Sequence, residues 1–262
     1  MSQELLFDQQ DGVATITLNR PELLNAFTPS MIDAWAEALR ECARDERCKA
    51  VIVTGTGRAF CSGGDTKAMG KGAQEQASDQ KAWLWEHVQQ VPLAAAALDK
   101  PLLSAINGLA VGAGLDLALL GDLRFCAEGA RFAETYVKMG LVPGSGGAWL
   151  LPRIVGLSKA LEILWLGEWI ESGEAERIGL VNKVYPADQL MPQVMEVALR
   201  MASGPTVATR MMKRLAVSSA ATDFKTHLDM VSSHLAVTAS TADHREAVTA
   251  RAEKRSPVFT GR

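Results

Sequence analysis

The stretch KPLLSAINGLAVGAGLDLALLGDLRFCAEGARF, residues 100–132, decides the fold. Residues 102–106 form a short, continuously apolar run, which suits a strand covered on both faces. Gly112-Ala113-Gly114 then opens an apolar helix expected over 114–120, and 123–127 reads as the next buried strand. The apolar run over 104–121 holds Asn107, Asp116 and several glycines, which a bilayer-spanning helix tolerates poorly. It reads as the core of a soluble protein, with no membrane partner.

Towards the N-terminus, 5–18 reads as a hairpin turning at Asp11-Gly12. Thr28-Pro29 starts a helix, along which Met31, Trp35, Ala38, Leu39 and Cys42 recur at helical spacing. Residues 50–53 are another buried strand ended by Thr54-Gly55. A helical region with Trp83, Trp85, Val88 and an alanine run follows, interrupted by Pro92. Strand and helix alternate to about Pro186, which argues for α/β layering with parallel strands. Beyond Asp188 the signals are helical only, over 188–202, 206–217, 224–236 and 242–254. A boundary near Gly204-Pro205 therefore divides a core, 1–203, from a helical tail, 204–262.

The chain has 262 residues, long for one core against a prior of about 100–200 residues per domain. Its net charge of −3 provides no basic field for nucleic acid. Four histidines and four cysteines leave little material for a zinc site, a histidine triad or a disulfide scaffold. Cys42, Cys48, Cys61 and Cys126 show no CxxC spacing, and the acidic N-terminus has no basic leader, so a cytoplasmic setting is expected.

Single motifs carry little. Gly112-Ala113-Gly114 places Leu117 where a dinucleotide fingerprint needs a small residue. Ser145 in PGSGG has Pro143 where a nucleophile elbow needs glycine. Cys61 reads as packing, and His227, His234 and His244 lack a completing ligand set. Asp116 differs, because an acid in an apolar helix must be paired, hydrogen-bonded or functional. Its bland alternative is an acid at a helix N-terminus, stabilised by the dipole. A carboxylate base beside converging backbone N–H groups suffices for enolate chemistry and needs no histidine, cysteine or metal.

Several segments, in order along nearly the whole chain, resemble the crotonase or enoyl-CoA hydratase/isomerase superfamily. They are ATITLNRPELLNAF (14–27), AVIVTGTGRAFCSGGD (50–65), the opening stretch (100–132), KMGLVPGSGGAWLLPRIVG (138–156), AERIGLVNKVYP (175–186) and EKRSPVFTGR (253–262). The resemblance implies an α/β spiral of ββα units with a C-terminal helical subdomain that assembles homotrimers or hexamers. It implies an acyl-CoA thioester substrate and no cofactor beyond its coenzyme A moiety. The oxyanion hole would come from the N–H groups of Gly64 and Ala113. Leu24 and Ala26 match the adenine-binding loop. Gly64, Asp65, Thr66 and Lys67, bordered by Ser62, Gly63 and Gly112, match the segment that holds pantetheine and phosphates. Asp116 stands where hydratases of this family carry a first glutamate, and Tyr136 where they carry the second; either Glu134, two residues earlier, takes over that role, or Tyr136 itself donates a proton or orients the substrate. SGGAW and WLLPRIVG also look like the branch that isomerises phenylacetyl-derived CoA esters, but that branch has aspartate where this chain has Gly144. Hydration and isomerisation of an enoyl-CoA are both implied; hydrolysis and acyl-CoA binding without turnover are the alternatives.

Overall fold

A computed structural model describes residues 3–65 and 76–262. Strands β1 (Leu5–Gln10) and β2 (Val13–Leu18) form the expected antiparallel hairpin, with Asp11 and Gly12 at φ of 51° and 82° in the turn. Helix α1 (Pro29–Arg44) follows. Thr28 Oγ1 accepts the Met31 N–H at 3.2 Å, and the helix buries the apolar stripe from Met31 through Trp35 to Cys42. Removing this cap with Thr28→Ala is expected to cost about 1 kcal/mol, read from urea unfolding.

Strand β3 (Ala50–Gly55) pairs parallel with β2. Next come β4 (Ala59–Cys61), β5 (Leu102–Ile106), β6 (Leu109–Val111), β7 (Leu123–Ala127), β8 (Arg131–Ala133), β9 (Ile170–Glu171) and β10 (Lys183–Tyr185). Two sheets result among the described residues, ordered β1-β2-β3-β5-β7-β10 and β4-β6-β8-β9. The pairs β3/β4, β5/β6 and β7/β8 each send their first strand to the large sheet and their second to the small one, with a helix after each. This is the ββα spiral.

The continuous apolar runs now have a cause. Val51, Val53 and Leu102 face the main core, while Val13, Ile52, Leu103, Ala105 and Phe125 face a second one. That second face is covered by Leu190, Val194 and Ala198 of helix α8 (Leu190–Ala202). Both faces of the central strands are dry, so neither face shows polar alternation.

Helices α2 (Ala77–Trp83) and α3 (Gln90–Ala97) correct one reading. The chain does not break at Pro92. It widens into a π turn over Leu84–Val88, where the Gln89 N–H reaches back to Leu84 O at 2.8 Å. Pro92 falls in the first turn of α3, where a missing N–H costs little. Helix α4 (Ala113–Ala118) lies between the sheets' contributions, α5 (Gly147–Val155) and α6 (Leu157–Leu166) follow β8, and α7 (Ser172–Arg177) precedes β10. The C-terminal region is helical: α9 (Thr206–Ser218), α10 (Phe224–Ala239) and α11 (Ala242–Glu253). Arg210 and Arg214 of α9 hold Asp99, and buried Asp243 of α11 accepts the N–H groups of Thr260 and Gly261 at 2.7 and 2.9 Å. No helix among the described residues is long and apolar enough to cross a membrane.

Candidate active site

Two backbone turns come together first. At Gly114 an added Cβ would sit 2.0 Å from Cys61 O, so α4 starts in direct contact with the end of β4. At Gly63, φ 97°, a Cβ would lie 3.7 Å from Ala113 N. Phe27 pairs parallel with Gly64: its N–H donates to Gly63 O at 2.9 Å and its carbonyl accepts the Asp65 N–H at 3.0 Å. In such a pairing the N–H of Gly64 itself points away from Phe27. Ala113 is the first residue of α4, so its N–H has no partner within the helix. Both residues are only partly buried.

The 24–27 loop is laced to the same place. Ser62 N–H donates to Leu24 O at 3.0 Å, and Cys61 Sγ to Asn25 O at 3.2 Å. Arg20 bonds Ala26 O and pairs with Asp65 at 3.1 Å, so that carboxylate braces the loop. Leu24 and Asn25 hold left-handed φ of 52° and 54°, which costs energy for residues with a Cβ. Asn25 supports the strain: fully buried, it accepts the Arg20 N–H at 2.7 Å and donates to Thr56 O and Ala59 O. Thr66 and Lys67, expected beside phosphates, lie outside the described residues.

The acids meet on the other side of α4. Asp116 is 0% exposed, and its Oδ2 accepts the Tyr136 hydroxyl and the Ser145 N–H, each at 3.0 Å. Tyr136 lies on the 3-10 turn Thr135–Met139 that follows β8, and Ser145 on the turn before α5. A Cβ at Gly147 would fall 1.8 Å from Asp116 Oδ1 and 3.2 Å from Glu134 Oε1, so both carboxyls border the space above that glycine. Asp116, Glu134 and Tyr136 are therefore brought together.

Burial pushes the Asp116 carboxyl up, against the opposing pull of the neighbouring Glu134 carboxyl, the Ser145 N–H and the Tyr136 hydroxyl. Glu134 is raised well above the ordinary carboxylate range, by burial and then by the Asp116 charge. The Tyr136 phenol is also held well up by burial and by Asp116. Two donors on Oδ2 favour charge on Asp116, whereas the Glu134 oxygens have no such support among the described residues.

Three positioning residues escaped the sequence reading. Asn25 sits between Leu24 and Ala26 in the stretch that resembles an adenine-binding loop, and nothing local marks its side chain. Gly147 is the last glycine of PGSGG, a run in which only Ser145 stands out. Gln89 Nε2 donates to Gly144 O at 3.1 Å and so steadies the turn that carries Ser145. Its partner is 55 residues away, and no local pattern points to it.

Comparison with known proteins agrees over the whole chain. The family model for enoyl-CoA hydratase/isomerase matches residues 8–262. The 1,2-epoxyphenylacetyl-CoA isomerase of Escherichia coli (strain K12) is 34% identical over 262 residues, 100% of each chain. The 2,3-dehydroadipyl-CoA hydratase of the same organism is 33% identical over 260 residues, 99% of each. An enoyl-CoA hydratase from Bacillus anthracis superposes with TM-score 0.93 at 30% identity, over 99% of this chain and 100% of that one. The chain belongs to the enoyl-CoA hydratase/isomerase family.

Proposed function

We propose that the protein hydrates or isomerises the double bond of an enoyl-CoA thioester, holding the thioester oxygen on the N–H groups of Gly64 and Ala113 while Asp116 moves the proton. The supporting observation is a fully buried carboxylate one turn into the helix whose first N–H, at Ala113, adjoins the Gly63-Gly64 turn. Two N–H dipoles fixed by the fold stabilise negative charge as it develops on the oxygen. In isomerisation, Asp116 takes a proton from one carbon, the electron pair passes into the thioester enolate, and a proton returns at the other carbon. In hydration, the proton comes from water, whose oxygen bonds the β-carbon, and the α-carbon is then protonated.

Leu24 and Ala26 would receive the adenine, and Ser62 to Lys67 with Gly112 the pantetheine and phosphates. The chemistry then needs no cofactor beyond the coenzyme A of the substrate. The setting that fits is the cytoplasm, where the four cysteines, all free and buried, stay reduced.

Crotonyl-CoA, a 3-enoyl-CoA and a ring-bearing unsaturated CoA ester, followed by chromatography, test this reading. Conversion of one of them without release of free thiol is expected. Release of coenzyme A thiol would instead identify a hydrolase, and tight ester binding without turnover an acyl-CoA-binding protein.

The same reading includes a homotrimer or a hexamer built as a dimer of trimers. Helix α10 buries no residue within the chain, and Phe224, Leu228 and Leu235 stand 77%, 48% and 65% exposed on it. Such apolar side chains on one element call for a covering surface. Light scattering is expected to give a mass three or six times that of the chain; a monomer would remove the assembly.

A further inference from the structure

Five buried side-chain polar atoms find no hydrogen-bond partner among the described residues, and four belong to one place: Asp116 Oδ1, both oxygens of Glu134 and Ser145 Oγ. Glu134 is 1% exposed, and no donor among the described residues meets either oxygen. A carboxylate in that position would be buried without any compensation, which proteins avoid by keeping the group neutral. A neutral carboxyl has a proton to donate, and the acceptor across the Gly147 face is Asp116.

We propose that Asp116 and Glu134 work as one unit sharing a single proton: Asp116 carries the charge, with Tyr136 and Ser145 on its far oxygen, and Glu134 carries the proton. The proposal rests on the enoyl-CoA reading above and gives it a second acid. Asp116 takes a proton from the substrate carbon, whose C–H electrons pass into the enolate, or from water, whose oxygen bonds the β-carbon while the C=C electrons pass into the enolate. Glu134 releases its proton to the other carbon, or to the α-carbon in hydration, and the enolate electrons form that C–H bond. The pair then holds one proton again, now on Asp116, and its transfer to Glu134 restores the starting state.

The groups facing the pair leave the proton count to these two residues. Tyr136 on the turn stays a phenol. Cys61, on β4 behind α4, is pushed up to about 12 by burial and stays a thiol. Lys138 on the same turn is exposed, and Arg153, the charged residue of α5, turns outward onto Trp149.

A pair of this kind is active with one proton and inactive with two or none, so turnover against pH is bell-shaped, both limbs belonging to the pair. Glu134→Gln is expected to lower kcat about 100-fold with KM little changed. It should abolish the alkaline limb and keep the acid one. Glu134→Ala should lose as much and move the acid limb upward, because Asp116 then keeps only the Tyr136 and Ser145 donors on Oδ2 and has none on Oδ1. Glu134→Asp should recover part of the rate. If Glu134 only positions its neighbour, Glu134→Gln retains a donor to Asp116, keeps near-normal turnover and both limbs, and the proposal falls.

Infrared spectroscopy of the resting enzyme gives a readout besides turnover. A protonated-carboxyl stretch is expected at neutral pH in the unaltered protein and not in Glu134→Gln. Absence of that band from the unaltered protein overturns the shared proton even where enoyl-CoA esters are converted. Its presence in a protein that converts none supports the pair and removes the enoyl-CoA reading instead.

Discussion

Asp116→Asn is expected to lower turnover of the converted enoyl-CoA by about 10³-fold while the protein stays folded. The amide has the shape of the carboxylate, and its oxygen still accepts the Tyr136 hydroxyl and the Ser145 N–H that Asp116 accepts at 3.0 Å. Its nitrogen can face Glu134, which then has a donor. The local network survives, and a buried charge is gone, so urea unfolding should show no large loss of stability. What is lost is the base. Because the backbone N–H groups of Gly64 and Ala113 are untouched, KM should change little and the effect should fall on kcat. Near-normal turnover by the variant would remove Asp116 from the chemistry, whatever the fold does.

Gly147→Ala should be damaging for a different reason. Alanine in place of glycine ordinarily stabilises a helix, by about 1 kcal/mol. Here its Cβ would arrive 1.8 Å from Asp116 Oδ1 and 3.2 Å from Glu134 Oε1. Either the carboxyl rotates away from the Ser145 and Tyr136 donors, or α5 retreats from α4. The overpacking is expected to cost about 1–3 kcal/mol, and turnover should fall at least as far as in Glu134→Gln, by about 100-fold or more. The helix preference acts in the opposite direction, so a net loss isolates the collision at the carboxyls. A variant as stable and as active as the unaltered protein would show that the carboxyls do not border Gly147.

The fold was legible where the physics is local. Met31, Trp35, Leu39 and Cys42 mark the buried stripe of α1, and unbroken apolar runs mark strands with cores on both faces. Pro92 misled because a proline reads as a break, whereas the chain had already changed its hydrogen-bond register at Leu84–Val88. The site was legible in Asp116, an acid among leucines, and in the glycine turns. Its partner was not. Glu134, two residues from Tyr136 at the end of a short strand, has a direction that only packing against α5 defines. Ser145 stood out for its hydroxyl, yet the atom that reaches Asp116 is its backbone nitrogen. Gln89 and Asn25 act through partners distant in sequence, and such couplings leave no period to read.

The contact between Gly114 and Cys61 O has a thermodynamic consequence. It locks the start of α4 onto the end of β4, with less than a methyl group of slack. The dipoles proposed to meet the enolate are thus oriented during folding, when the entropy of fixing them is lost once and for every later turnover. Solvent would have to reorganise around each new negative charge; a rigid backbone does not. Bulk at residue 114 should therefore act like a softer solvent around the reaction, weakening the enolate's stabilisation without removing a single donor.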